Sequence, residues 1–270
     1  MNVRHLTLAL FFGSLISLSL LSCTRKAGMG SNSGKDVIEL FNGENLDGWY
    51  TWLRGIGKNK DPQNVFSVED GKIKITGEIW GCITTEKEYE NYHLITEYMW
   101  AGPTSGTRVD RARDNGILIH STGEDGAYSD TWMYSIEVQI IEGGTGDFLV
   151  VGDKSENFAI TSPVAAEKQG SSYIYDPDGE MVTIHGGRIN WWGRSPDWKD
   201  VINFRGSQDV EKPVGQWNRL ELIASGDSVT VILNGVEVNK TYNVKPTKGK
   251  IQIQSEGAEI LFRRVDLIPL

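Results

Sequence analysis

An all-β protein, folded as a sandwich of two antiparallel sheets, is what this chain predicts, and three observations carry the prediction. Short runs of alternating apolar and polar residues follow one another from Val37 onward, separated by Gly, Asn and Asp. Asp70-Gly71 and Asn234-Gly235 stand between such runs, as the two-residue turns of hairpins do. Helical periodicity is nearly absent, limited to a turn or so near residues 164–169. Many short strands at this spacing predict a sandwich, and the lack of a fixed repeat speaks against a propeller or β-helix.

The elements follow in order. Arg4 and the apolar run 6–21 make the charged and apolar regions of a secretory signal, short and interrupted by Gly and Ser. Leu20-Leu21-Ser22-Cys23 resembles the lipobox of bacterial lipoproteins, in which the cysteine is acylated and becomes the mature N-terminus. A conventional signal cleaved near Ser22 is the alternative. We therefore expect a signal over 1–22, a Gly/Ser-rich tether over 23–36 and one domain over 37–270. Lipidation at Cys23 implies a protein anchored in the cell envelope, periplasmic or at the cell surface, that meets the membrane through its lipid only. Strands are predicted over 66–68, 72–76, 93–100, 116–120, 134–141, 181–185, 217–224, 228–234, 250–255 and 258–268.

Composition narrows the partners. Without Arg4 the chain keeps 26 basic against 36 acidic residues, a balance that repels phosphate backbones and excludes nucleic acid as a natural partner. Cys82 is the one cysteine besides Cys23, so no disulfide staples the domain and its core must hold it. Nine Trp and nine Tyr serve equally as core filling and as stacking platforms for sugar rings.

Period-2 alternation assigns faces within the strands. Ile117 and Ile119 share one face, which leaves Leu118 and His120 on the other. Tyr134, Ile136, Val138 and Ile140 oppose Ser135, Glu137 and Gln139, and Ile95, Glu97 and Met99 oppose Thr96, Tyr98 and Trp100. Polar residues in mid-strand fit a solvated outer face and equally fit the concave floor of a groove.

Several motifs, in order and spacing, resemble the bacterial 3-keto-disaccharide hydrolases, also described as 3-keto-glycoside hydrolases or lyases. Leu40-Phe41-Asn42-Gly43 and Leu46-Asp47-Gly48-Trp49 open the series. Asp114-Asn115-Gly116-Ile117 leads to His120, and Glu137-Val138-Gln139-Ile140 follows. Gln216-Trp217-Asn218, Asn234-Gly235, the 251–256 stretch with Gly257, and Phe262-Arg263-Arg264-Val265 complete it. The resemblance spans 37–270 and implies a concanavalin-A-like jelly roll that breaks down sugars outside the cytoplasm after oxidation at C3. The chain departs from the pattern at Asp114-Asn115-Gly116, in an inserted stretch 123–132, and in the Trp/Arg-rich stretch 186–198.

A ketone at C3 acidifies the C2 proton, so cleavage by β-elimination needs a base, a stabiliser of the enolate oxygen and an acid for the leaving group. Ordinary glycosidases use two carboxylates instead. His120 and Glu137 are the catalytic candidates: His120 titrates near neutrality, and a Glu among Ile and Val is costly to bury without a purpose. His120 as a strand-end histidine bonded to a loop, and Glu137 on an outer face paired with Arg108, Arg111 or Arg113, are the plainer alternatives. Glu97 is the candidate second carboxylate, and Asn115 and Gln139 are expected to orient substrate. Arg188, Trp191, Trp192 and Arg194 suit a sugar subsite, with a Trp in the core as the alternative. His120 and His185 are weak candidates for a divalent metal. The predicted function is cleavage of 3-keto-glycosides, with oligosaccharide or glycoside as substrate; a non-catalytic sugar-binding lipoprotein is the competitor.

Overall fold

Alternation of Ile, Val, Leu and aromatic residues with polar ones makes each run extend and bury one side, and two such sheets bury their apolar sides against each other. The structure, a computed structural model, describes residues 36–270. The signal over 1–22, Cys23 and the tether up to residue 35 lie outside the described residues.

Among the described residues there are nineteen strands and one 3-10 turn, Gly106–Arg108. The first sheet runs through Glu180–Ile184, Ala159–Val164, Val236–Lys245, Ser228–Leu233, Asn218–Ser225, Tyr92–Thr104, Ala258–Pro269, Lys72–Ile75 and Phe66–Glu69, with Ile38–Glu39 added beside Ala258–Pro269. The second runs through Tyr173–Ile174, Gly187–Asn190, Phe148–Val151, Tyr134–Ile141, Asp114–Thr122, Lys250–Ser255, Gly81–Thr85, Trp49–Leu53 and Gly57–Lys58. Pairing is antiparallel throughout except between Tyr173–Ile174 and Ile189–Asn190. In both sheets strands from the C-terminal third pair between strands from the first half, which makes the sandwich a jelly roll of the concanavalin-A-like kind.

Ile117, Ile119, Ile136, Val138, Ile140, Phe148, Ile251 and Ile253 of the second sheet meet Leu94, Tyr98, Trp100, Leu220, Leu222, Phe262 and Val265 of the first in one continuous core. Each fully buried side chain of this size contributes about 1.5–3 kcal/mol. No helical turn forms at 164–169; Gln169 and Ser172 instead close a tight turn with reciprocal backbone hydrogen bonds of 3.0 and 3.1 Å.

One face assignment changes, and one expected substrate contact turns out to lie in the core. The pairing of Asp114–Thr122 with Tyr134–Ile141 slips between Ile119 and Thr122, a bulge that puts His120 at φ 54° and turns its ring away from Leu118's side. His120 therefore packs edge-on to Tyr92, in the core, at 5.9 Å between ring centroids, and its Nδ1 lies 2.8 Å from the Pro246 carbonyl oxygen. Gly249 makes this possible: a Cβ there would stand 2.4 Å from the His120 carbonyl carbon. Asn115 shares the inward face of Ile117, is fully buried, and donates through Nδ2 to the Gln254 carbonyl oxygen.

Candidate functional site

The face of the second sheet turned away from the core collects the polar positions of five neighbouring strands. Glu137 lies opposite Leu118 on one side and Leu149 on the other, and Gln139 lies opposite Gly116. Alternation along Lys250–Ser255 sends Ile251 and Ile253 inward and Gln252, Gln254 and, just past the strand, Glu256 to this face. Asp114 joins them from the start of its strand. Glu137 is 4 % exposed and Asp114 5 %, yet both line open space, so they are buried in the walls of a recess.

That recess has two compartments. The inner one, about 220 Å³, is lined by Glu137, Gln139, Glu256, Leu149, Tyr128 and Trp132 together with Asp114 and Arg188. The outer one, about 520 Å³, holds Arg108, Arg194, Gln169, Asn190, Trp198 and Asp200 and again Asp114 and Arg188. Asp114 and Arg188 stand where the two meet. Their size suits a small ligand of one or a few rings.

Hydrogen bonds lock the junction. Gln139 donates through Nε2 to Asp114 Oδ1 and accepts from Arg188 Nη2 at 3.0 Å. Arg188 Nη1 donates to Asp147 Oδ2 at 3.0 Å, and Asp147 also pairs with Arg194 and accepts from the Trp191 backbone N at 2.8 Å. Arg108 Nη2 lies 3.2 Å from Asp114 Oδ2. Gly116 is required beneath them, because a Cβ would stand 2.6 Å from Gln254 Oε1 and 2.7 Å from Glu137 Oε1. Gln254 is fully buried beside Glu137, and its side chain opposes the rise in the Glu137 pKa.

The electrostatics follow from this crowding. Burial pushes the Glu137 carboxyl up to about 8, the Asp114 charge adds to the rise, and Arg188 opposes it. Burial raises Asp114 to about 6 against the pull of Arg108 and Arg188. Glu256 is held well above the carboxylate range by burial, then by Asp114 and Glu137. Three carboxyls crowded into one recess share their protons, so near neutrality they do not all ionise together.

The inserted stretch 123–132 roofs the other half of this face. Tyr50 donates to Asp125 Oδ1 at 2.8 Å, Lys58 pairs with the same carboxylate at 3.2 Å, and Arg54 Nε donates to Thr131 Oγ1 at 2.7 Å. Asp130 Oδ2 accepts from the Gly55 backbone N at 3.1 Å. Trp132 seals against Cys82 and Leu118 and stacks between Trp80 and Tyr128, at 5.8 and 6.4 Å between centroids. The same Trp132 and Tyr128 wall the inner compartment, so an aromatic surface faces the carboxyls there.

The predicted residues separate into two groups. Glu137, Gln139, Arg188 and Arg194 come together in the recess; none of Arg108, Arg111 and Arg113 pairs with Glu137, because Asp114, Asp200 and Glu142 take them. His120 lines neither compartment. Glu97 lies on the outer face of the first sheet, paired with Arg263 at 2.6 Å, and Asn115 points into the core. Trp191 is 1 % exposed in the core, whereas Trp192 borders a separate cavity. His185 follows the edge strand Glu180–Ile184 of the first sheet, so it does not join His120, and among the described residues no group of three or more His, Cys, Asp or Glu is placed to hold a metal. Asp114, Gln254 and Glu256 were not anticipated as site residues, although the alternation from Ile251 to Glu256 carries the signal for the last two.

A jelly roll that gathers mutually repelling carboxyls, forked arginine donors and aromatic walls in one recess suits an enzyme acting on glycosides. The chain belongs to the family of 3-keto-alpha-glucoside-1,2-lyase-like domains, whose model matches residues 36–268. Two candidate glycosyl hydrolases from Parabacteroides distasonis ATCC 8503 are similar in structure. One is 18 % identical with a TM-score of 0.50, over 87 % of this chain and 94 % of its own. The other is 19 % identical with a TM-score of 0.49, over 87 % and 100 %. A β-glucanase from Bacillus licheniformis is 10 % identical, with a TM-score of 0.45 over 88 % and 99 %. At these identities the likeness is one of fold. No curated protein matches the sequence.

Proposed function

We propose that this protein cleaves the glycosidic bond of 3-keto-glycosides by β-elimination, in carbohydrate breakdown outside the cytoplasm, held in the cell envelope by a lipid on Cys23. The observation that carries the reading is the meeting of Asp114, Glu137 and Arg188 at one recess, with the two carboxyls driven apart to about 6 and about 8. Near pH 7 Asp114 is the charged partner and removes the C2 proton. The electron pair moves onto the C3 oxygen as an enolate, which Arg188 stabilises with its forked donors. As the enolate collapses, the C1–oxygen bond breaks and Glu137, still protonated, gives its proton to the departing oxygen. The sugar leaves as an unsaturated ketone, and addition of water to it would complete a net hydrolysis. Gln139, bonded to both Asp114 and Arg188, keeps base and stabiliser in register. His120, buried against Tyr92 with its pKa lowered to about 4 by burial, has no part in these steps.

The test is release of aglycone from a 3-keto-glucoside and from its unoxidised parent, by the full protein and by Glu137→Gln. We expect turnover of the ketone alone, lost in the variant. Turnover of the parent glucoside would point to two-carboxylate hydrolysis, and binding of sugars without turnover to a lectin. Incorporation of radiolabelled fatty acid into the wild type but not into Cys23→Ala tests the anchor.

A further inference from the structure

Trp192 stands apart from the recess. It is 40 % exposed, the one aromatic side chain in the exposed class among the described residues, while its neighbour Trp191 is 1 % exposed. Its indole is nevertheless fixed: Nε1 donates to the Glu237 carbonyl oxygen at 3.0 Å, and the ring stands edge-on to Trp191 at 5.4 Å between centroids. A rigid, exposed aromatic face loses little entropy on binding a flat partner. Beside it opens a cavity of about 480 Å³ lined by Ile174, Tyr175, Asp176, Pro177 and Glu237. A second cavity of about 430 Å³ shares Ala165 and Asp176 with the first and adds Tyr173, Asp178 and Glu180.

The chemistry of these walls selects one ligand class. Four carboxylates line the two cavities and no Lys, Arg or His does, so an anion is repelled. A purely apolar ligand would strip water from those carboxylates and offer them no donor. A neutral molecule with apolar ring faces and many hydroxyl donors satisfies both conditions, stacking on Trp192 and donating to Asp176 and Glu237. We propose that the Trp192 cavity is a second carbohydrate site, distinct from the recess at Glu137, which holds a neutral oligosaccharide of hexopyranose units. The two cavities adjoin at Ala165 and Asp176 and give room for more than one ring. Gln169, Gly170 and Ser172 line the outer compartment of the recess, and Tyr173 and Ile174, directly following, line these cavities. One short turn therefore separates the bound chain from the mouth of the recess.

Calorimetric titration of the full protein carrying Glu137→Gln, with maltohexaose and with cellohexaose, tests the site. Saturable binding of at least one hexasaccharide is expected, weakened about tenfold or more by Trp192→Ala and retained by Trp192→Phe. In the otherwise wild-type protein, Trp192→Ala should leave kcat/KM on a 3-keto-methyl-glucoside within about twofold, because that substrate is too short to reach the second cavity. Glu237→Ala is the second variant, expected to weaken binding in the same sense should Trp192→Ala fail to fold. No binding of either chain, or binding unaffected by both variants, would overturn the proposal. So would parallel loss of kcat/KM on the short substrate, which would merge Trp192 with the recess. The binding outcomes do not depend on the elimination chemistry, since they are read in a protein without turnover; only the kcat/KM control rests on the proposed reaction.

Discussion

Glu97 and Glu137 are both mid-strand glutamates whose chain neighbours face the core, Thr96 and Tyr98 for the first and Ile136 and Val138 for the second. Glu97 lies on the outer face of the first sheet, with Arg219 at 3.7 Å, Arg263 at 2.6 Å and Arg264 at 3.8 Å. Its neighbour Glu221 accepts two hydrogen bonds from Arg219, and that bonding and charge hold its carboxyl below the usual range. Glu137 has no ion pair, and burial drives it the other way, up to about 8. The first glutamate belongs to an exposed ladder of opposite charges, the second to a group of carboxyls that cannot all be ionised together. The comparison teaches that a mid-strand glutamate takes its chemistry from what its sheet face meets, since a mid-strand position alone is common to both.

The largest effect that would sharpen this contrast is on rate. Glu137→Gln should lower kcat on a 3-keto-glucoside by roughly 10²–10⁴, the usual reach of a general acid, with the circular dichroism spectrum unchanged. A variant above a tenth of wild-type kcat would break the assignment. Gly116→Ala comes next. Its Cβ would displace Glu137 and Gln254, and we expect kcat to fall by roughly a hundredfold with about 1–3 kcal/mol of stability lost, measured by urea unfolding beside initial rates. Trp132→Ala should cost about 3–5 kcal/mol, because it leaves a hole over Cys82 and Leu118, and should raise KM more than it lowers kcat.

Proton linkage gives a subtler contrast. The folded protein keeps Glu137 protonated up to about pH 8, whereas the unfolded chain releases that proton near the ordinary 4.5. The stability this neutral carboxyl supports is therefore complete below about 4.5 and declines as pH rises towards 8. Glu137→Gln should flatten the fall of Tm across that window. It will not abolish it, because Glu211 is also raised to about 8 by burial. An unchanged Tm profile would mean that Glu137 is solvated. The smallest effect belongs to Glu97→Gln: less than about 1 kcal/mol, shrinking further in high salt, and no change in kcat.

Much of this was legible in the chain. Alternation and turn dipeptides are local signals, and they predict the sandwich and the shared face of Glu137 and Gln139. His120 escaped that reasoning because a bulge adds one residue and inverts the alternation beyond Ile119, and nothing in Leu118-Ile119-His120-Ser121 announces it. Asn115, expected at the substrate, shares the side of Ile117 and faces the core, and its neighbour Asp114 reaches the recess instead. Trp191 and Trp192 read as a tandem pair, yet adjacency in a chain leaving a strand sends one ring inward and the other out. Arg188 lies on the strand Gly187–Asn190, Arg194 in the loop after it and Asp147 just before Phe148–Val151, so their meeting depends on tertiary closure that no spacing rule reports.

The roof over the recess differs from its floor in how it is held. The floor is woven into strands that share backbone hydrogen bonds on both flanks, so altering one strand disturbs the next. The stretch 123–132 is a single excursion between two of those strands, pinned chiefly by side chains reaching from Tyr50, Arg54 and Lys58. Changes of length between residues 123 and 127 would therefore leave the carboxyls of the floor in place, whereas Trp132 must stay to seal Cys82 and Leu118.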